Sequence, residues 1–467
     1  MLGARDRMLP AMSWDRLSFA ERDAERDRLL AQWVASEVVP ANAFWSGRLK
    51  GRTVRGLGDL ADLAPLEEAE AAAVGGPGNP GLLLLPSEDA FKRHAPRGEI
   101  VRAALELRRG GAQARRAVLF RRYKPVHVHE AGVSALLAIA YTRTDLDRLH
   151  LAGARLVEVL GLGADDRLVN AVPASASIRF WGLYHAALAA RMTALHPRAP
   201  GVDAARAVAR ALAMLPATVL AIEVDEAVEL LGALAERGVR CPGLRAVLVV
   251  GPPPSAQLRE QITLAAAGIG ANGVRVQAVW APESSRVLWG ECRQASADPA
   301  QATYGLHTYP DLEIVEVRDV ERGRLANPGA AGEILLTSLG WRGTAAIRLA
   351  TGTWTAGLAT QAICPNCRRT VPRLAPEAVE AAWQPRVRVG ERTVRVDVRA
   401  AAAVVTPAVR ERLGIESWSL RSVDGTLTLT VATQGGRTAG LGDLARDIGA
   451  TVGVIPAVRV ARAQPQS

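Results

Sequence analysis

Lysine is almost missing from this chain. Of 57 Lys and Arg residues only Lys50, Lys92 and Lys124 are lysines, so nothing after position 124 can bring a lysine ammonium to a reaction. Long apolar runs are missing as well. The longest, such as Gly81 to Leu85 and Ala246 to Val250, fall far short of the roughly 20 residues a membrane-spanning helix needs, so no membrane association is expected. Met1 to Pro10 mixes Arg, Asp and Met without an apolar signal core, which makes a cytoplasmic location the expectation. Aromatic residues make up only 4% and never interleave with a basic run. The arginines are scattered among acids, as in residues 21–28, so the formal charge of +10 does not read as a nucleic-acid surface. Four cysteines in 467 residues are too few for the dense framework of a small secreted domain.

What remains is a chain built to fold. Hydrophobic residues make up 49%, ample for a large core. Residues 14–37 carry Leu17, Phe19, Leu29, Leu30, Trp33 and Val34 on a helical face, and Pro40 is expected to stop that helix. Gly75-Gly76-Pro77-Gly78 marks a break. From about 100 to 375 short apolar strands, such as Val219 to Val224 and Ala246 to Val250, alternate with helical segments, which predicts an α/β domain with a mostly parallel sheet. The last ninety or so residues change character. Strands at Val387 to Val389 and Thr393 to Val398, a helix at Pro407 to Leu413, a hairpin around Asp424-Gly425, a helix from Leu441 and a strand over Val452 to Val460 predict a small α+β domain. The expected architecture is a large α/β domain over 1–375, including the N-terminal helical segment, and a small α+β domain over 376–467.

Cys364-Pro365-Asn366-Cys367 places two thiolates on a tight turn, enough for two corners of a zinc tetrahedron. A redox pair would open a helix, and Pro372 soon after disfavours one. Two more ligands are needed, and Cys292 and His307, fourteen residues of expected loop apart, are the best candidates. The plain alternative makes Cys292 a buried apolar residue and His307 a surface one. Cys241 has no partner in sight.

Several segments then converge. Tyr141-Thr142-Arg143-Thr144-Asp145, Gly251-Pro252-Pro253-Pro254, Gly290-Glu291-Cys292, Gly305-Leu306-His307, Gly332-Glu333-Ile334-Leu335, Ile347 to Thr353, and the Cys pair with Arg369 to Arg373 occur in a specific order and spacing. Over most of its length the chain resembles the phenylacetate–CoA ligase branch of the acyl-adenylate-forming enzymes. The resemblance implies a structural zinc on Cys292, His307, Cys364 and Cys367. It also implies an ATP and magnesium site that includes Gly251, Glu283 and the position of Thr353, with CoA as co-substrate. Trp181, Tyr184 and His185 fall in a region similar to the family's acyl-binding wall, with core packing as the alternative.

The departures are as informative. His129 to Leu136 stands where the family has a glycine-rich phosphate loop, and Glu130 puts negative charge where phosphate would sit. Thr353 replaces an aspartate that would chelate the ribose hydroxyls. The C-terminal catalytic lysine has no counterpart. Gly268, Gly270 and Gly273 show G-x-G-x-x-G spacing but precede a strand, so a helix-ending loop is expected. The resulting expectation is a degenerate relative that does not adenylate and serves as a binding or scaffold protein with a structural zinc. It would bind a small carboxylic or aryl acid, or a partner protein. The alternative is a divergent acyl- or aryl-CoA ligase using ATP, magnesium and CoA.

Overall fold

A computed structural model describes residues 14–85, 122–131, 136–174, 177–197, 204–292, 305–319, 324–375, 379–380, 386–390, 392–396, 404–423 and 426–461, with isolated positions at 93, 100–101, 104–105 and 401. The chain divides into two units, residues 1–378 and 379–467.

In the first unit, helix α1 (Phe19–Trp33) opens with a reciprocal cap between Ser18 and Glu21, which satisfies two otherwise orphan backbone donors. Pro40 does not stop the helical path as expected. The chain runs from α1 through a wide turn at Val34–Val38 into Val39–Ala41, where proline sits at the start of its own turn and needs no N–H partner. The path ends at Asn42, whose extended backbone and side chain cap the helix Ala43–Leu49. Trp33 and Trp45 are buried, and their indole N–H groups donate to the carbonyls of Trp341 (3.0 Å) and Ala345 (3.1 Å). Residues 300 positions apart are thereby fixed against one another.

Strands β1 (Pro125–Ala131) and β2 (Leu137–Thr142) form an antiparallel hairpin. Helix α2 (Arg143–Leu160) follows, capped by Thr142 and Asp145. Next come β3 (Arg167–Asn170), α3 (Ile178–Ala189), β4 (Thr193–Leu195), α4 (Ala204–Met214), β5 (Val219–Glu223), α5 (Ala227–Glu236), β6 (Ala246–Val250), α6 (Ala256–Gly268) and β7 (Arg275–Trp280). The strands pair in parallel in the order β4–β3–β5–β6–β7. All five residues of β6 are buried, as continuous apolar strands covered on both faces require. Gly268 ends α6, and Gly270 and Gly273, both at positive φ, lie in the loop from α6 to β7.

Within the nine-stranded sheet, parallel pairing is confined to this block. β8 (Trp289–Glu291) and β9 (Leu306–His307) continue the sheet antiparallel. A second sheet is built from β10 (Glu313–Asp319), β11 (Arg324–Leu325), β12 (Gly332–Ser338) and β13 (Leu349–Thr355), antiparallel in the order β11–β10–β12–β13. Among the described residues no helix separates these strands, and parallel pairing needs a long crossover, usually a helix. Finally β14 (Leu358–Ala359) and β15 (Arg373–Leu374) return beside β9, making a nine-stranded sheet.

The second unit holds the hairpin β16 (Arg386–Val389) and β17 (Arg392–Arg395), helix α7 (Pro407–Leu413), strands β18 (Ile415–Val423) and β19 (Thr426–Thr433), helix α8 (Leu441–Val452) and β20 (Ala457–Ala461). Leu427, Leu429 and Val431 are buried in its core. The last strand starts at Ala457, five residues later than expected, because α8 continues through Val452. The expected turn at Asp424-Gly425 lies outside the described residues.

Candidate metal centre and sheet-edge site

Cys292, His307, Cys364 and Cys367 meet within the first unit, with one donor atom of each lying within 4.8 Å of the others. Cys292 follows β8, and His307 stands on β9 opposite Gly290. The close approach of β9 to β15 requires Gly305: its φ is +90°, and a Cβ there would come within 2.0 Å of the Leu374 carbonyl. The cysteine turn is closed by Cys364 N–H donating to Arg369 O (2.9 Å) and Arg368 N–H to Cys364 O (3.0 Å). Among the described residues, 368–375 hold no helix, so the redox alternative lacks its structural requirement.

The geometry fits a tetrahedral ion. With Zn–S bonds of about 2.3 Å, two sulfurs on a tetrahedron lie about 3.8 Å apart. Cys292 and Cys364 Sγ are 3.8 Å apart, and Cys367 Sγ is 3.4 Å from His307 Nε2. His307 is fully buried rather than on the surface. The sulfurs also receive N–H donors. Asn366 Nδ2 donates to Cys292 Sγ at 3.1 Å, and the backbone N–H groups of Asn366 and Cys367 point to Cys364. Hydrogen bonds from Cys292 lower the thiols of Cys364 and Cys367, and the same contacts raise the thiol of Cys292 itself. Arg369 is held beside Cys367. Such an outer shell suits thiolates, and closely spaced thiolates need a cation between them. Cys241 is buried elsewhere, its thiol facing the Ala217 carbonyl.

The centre is tied to distant parts of the unit. Arg369 pairs with Asp15 (2.6 Å) and with Glu158 of α2 (2.8 Å). The Thr370 hydroxyl donates to Leu17 O (2.7 Å), while Arg22 donates to Thr370 O. Val159 of α2 packs on Cys292 and Cys364.

The residues expected at a nucleotide site are arranged differently. Gly251 follows β6 with φ +140°, where a Cβ would lie 2.6 Å from Val224. Glu283 follows β7, so both sit at the C-terminal edge of the parallel strands, the usual ligand edge of such sheets. The Glu283 carboxylate is engaged: Arg179 Nη2 lies 2.7 Å from Oε1 and the Ser177 hydroxyl donates to Oε2 at 3.0 Å. Arg179 also approaches Glu223 at 3.9 Å. Burial raises the Glu223 carboxyl above its ordinary value, Arg179 opposes that, and Glu226, Asp225 and Glu283 add to it. Thr353 is fully buried on β13, and its hydroxyl donates to the Thr351 carbonyl at 3.3 Å. In the stretch aligned with a phosphate loop, His129 is buried, Glu130 is exposed, and residues 132–135 lie outside those described.

Trp181, Tyr184 and His185 lie on α3 within a larger aromatic assembly. Trp181 meets His127 edge-on with centroids 4.8 Å apart, Tyr184 contacts His196 at 5.3 Å, and His185 contacts His150 at 5.0 Å. His129 lies tilted against Tyr141 with centroids 5.3 Å apart, and among the described residues neither of its ring nitrogens has a hydrogen-bond partner. Burial lowers His129 to about 3 and His185 to about 4, so both are neutral near pH 7.

No protein-family model matches the sequence, and no curated protein matches it. Solved structures do. 2-Hydroxyisobutyryl-CoA ligase in the postadenylation state with 2-HIB-AMP aligns over 100% of this chain and 93% of its own, with a TM-score of 0.65 at 18% identity. The open conformation of the same ligase with 2-HIB-AMP and CoA aligns over 100% and 95%, at 0.62 and 17%. The chain has the adenylate-forming ligase fold. On this ligase fold the cysteine–histidine cluster, able to hold a metal, is well assembled, whereas Glu283 is paired internally and Thr353 is turned into its own strand.

Sequence reasoning missed Arg179, Ser177, Asn366 and His127, and named His129 only as the start of the phosphate-loop stretch. Asn366 was visible inside the cysteine turn. The rest carry no spacing signal, because they act across the fold rather than along the chain.

Proposed function

We propose that this protein is a degenerate member of the phenylacetate–CoA ligase-like branch, a binding protein that does not adenylate. Thr353 carries this reading. Where the resemblance places a ribose-chelating carboxylate, a sealed hydroxyl is satisfied by Thr351 within the same strand. Chelation of two ribose hydroxyls needs an acceptor-only group facing a ligand. The ligand class is a small carboxylic or aryl acid against Trp181, Tyr184 and His185. Carboxylate-dependent ATP–pyrophosphate exchange tests the reading: the expected result is background exchange, and turnover above it would overturn the proposal.

Cys292, His307, Cys364 and Cys367 would hold a zinc ion. A closed set of three sulfurs and one imidazole leaves no position for substrate, so the ion would supply cross-linking rather than Lewis-acid chemistry. The full-length match to a ligase solved with 2-HIB-AMP and CoA favours a second reading, a divergent acyl-CoA ligase using ATP, magnesium and CoA. The exchange experiment separates the two.

A further inference from the structure

We infer that a pocket on the outer face of the β1–β2 hairpin is a second binding site, one that takes a small uncharged apolar molecule. The pocket encloses about 320 Å³, within the range of roughly 300–1,000 Å³ typical of small-molecule sites. Three separate stretches wall it. Gly75, Gly76 and Gly78 lie at and beyond the end of the helix Glu68–Gly75, with Leu82 and Leu83 following them. Thr344 comes from the loop between β12 and β13. The hairpin supplies Pro125, Val128, Ala138 and Ala140. A register shift between Pro125 and His127 inserts one residue into β1, so Pro125 and Val128 share a wall although they are three positions apart. His127 and His129 take the other face of β1, where the aromatic assembly with Trp181 lies, so the pocket stands apart from the acid site proposed above.

The walls are tied together by the backbone. Leu84 N–H donates to Gly343 O (3.0 Å), Ala345 N–H to Leu82 O (2.8 Å) and Thr344 N–H to Ala140 O (3.2 Å). Gly343 permits this approach, since a Cβ there would lie 1.9 Å from Ala140 O. The polar atoms along the walls are spent on the protein itself. The Thr344 hydroxyl donates to Ala138 O (3.0 Å) and accepts from Ala140 N–H (2.9 Å). The Asn79 amide donates to Ala73 O (2.6 Å) and accepts from Gly81 N–H (3.2 Å), while Leu83 O accepts from Asn42 (2.8 Å). None of the described lining residues is ionisable. A charged ligand would lose its hydration here without gaining a partner, and water would find few free bonds. Apolar cavities of about 150 Å³ admit a benzene ring, so this one has room for a larger aryl ligand. Val128 lines the pocket and is 53% exposed, which leaves a way in from solvent.

The probe is N-phenyl-1-naphthylamine, an uncharged molecule whose fluorescence rises when it leaves water, titrated into the intact protein. Saturable binding at a single site is expected. Ala138→Leu, which fills the pocket, and Val128→Trp, which narrows it from an exposed position, should each weaken binding at least roughly tenfold. The anion 1-anilinonaphthalene-8-sulfonate carries the same rings, and its binding at the site sensitive to Ala138→Leu should be at least roughly tenfold weaker. Melting curves show which variants are folded, and Val128→Trp decides if Ala138→Leu is not. No saturable binding by the wild type overturns the inference, as do folded variants that bind like the wild type. Equal binding of the anion overturns the uncharged class. Loss on Tyr184→Ala but not on Ala138→Leu would put the probe in the aromatic assembly and overturn the site.

Discussion

Arg155 of α2 and Asp311 form a two-pronged ion pair, with Nη1 2.6 Å from Oδ1 and Nη2 2.8 Å from Oδ2, both side chains almost sealed from solvent. Removing one partner leaves the other charge buried and alone. Asp311→Ala is therefore expected to cost about 3–5 kcal/mol in chemical denaturation. Arg155→Met/Asp311→Leu should cost clearly less than that single change. A double variant as damaged as the single one would show that the charges themselves stabilise the fold.

For the metal, the purified protein is expected to contain about one zinc per chain by elemental analysis. Cys364→Ser/Cys367→Ser should lose the metal and melt at lower temperature. A metal-free preparation of unchanged stability would remove the zinc proposal.

Gly305→Ala should weaken the same centre without touching a ligand. Its Cβ would strike the Leu374 carbonyl at a backbone angle that side chains rarely adopt, displacing β9 and with it His307. Faster transfer of metal to a chelator is the readout, together with a loss of about 1–3 kcal/mol in stability.

Acid should weaken the fold through His129. Its folded value is depressed to about 3, chiefly by burial, with Arg286 and His127 adding to the effect. Below the ordinary histidine value of about 6.5 the unfolded chain takes up a proton that the folded chain refuses. Stability then falls by about 1.4 kcal/mol per pH unit as pH drops from 6.5 toward 3. His129→Phe should narrow its stability difference from wild type as pH falls through that window. A pH-independent difference would contradict the burial of a neutral ring.

Glu313 should act with the opposite sign. The Ser285 hydroxyl lies 2.6 Å from its Oε2 and 2.7 Å from the Val287 carbonyl. One hydroxyl proton cannot serve both bonds, and the carbonyl can only accept, so a protonated Glu313 completes the pair. Burial raises this carboxyl to about 7. The stability it contributes is fully present below about 4.5, the unfolded value, and is lost as pH rises through about 7. Glu313→Gln should remove that loss on the alkaline side.

Much of the fold was legible because the signals were local. Val219 to Ile222 and Ala246 to Val250 are apolar runs that suit a parallel sheet covered on both faces. Pro407 to Leu413 forms the expected helix because Thr406 caps it and Gly414 ends it in a left-handed turn. The helix stop at Pro40 misled because the wide turn before it lets proline begin a new turn, where its missing N–H has no partner to lose. At the metal cluster the cysteine turn was readable from spacing, and the other two ligands were narrowed to Cys292 and His307. Arg179 was invisible: it meets Glu283 across more than a hundred residues, and no periodicity reports such a pairing.

The cysteine turn grips Asp15, Leu17 and Arg22 through Arg369 and Thr370. During synthesis the first helix therefore leaves the ribosome hundreds of residues before the clasp that secures it exists. Until then its tryptophan side has no permanent seat, so a segment made long before residue 369 waits for that residue to be locked in place.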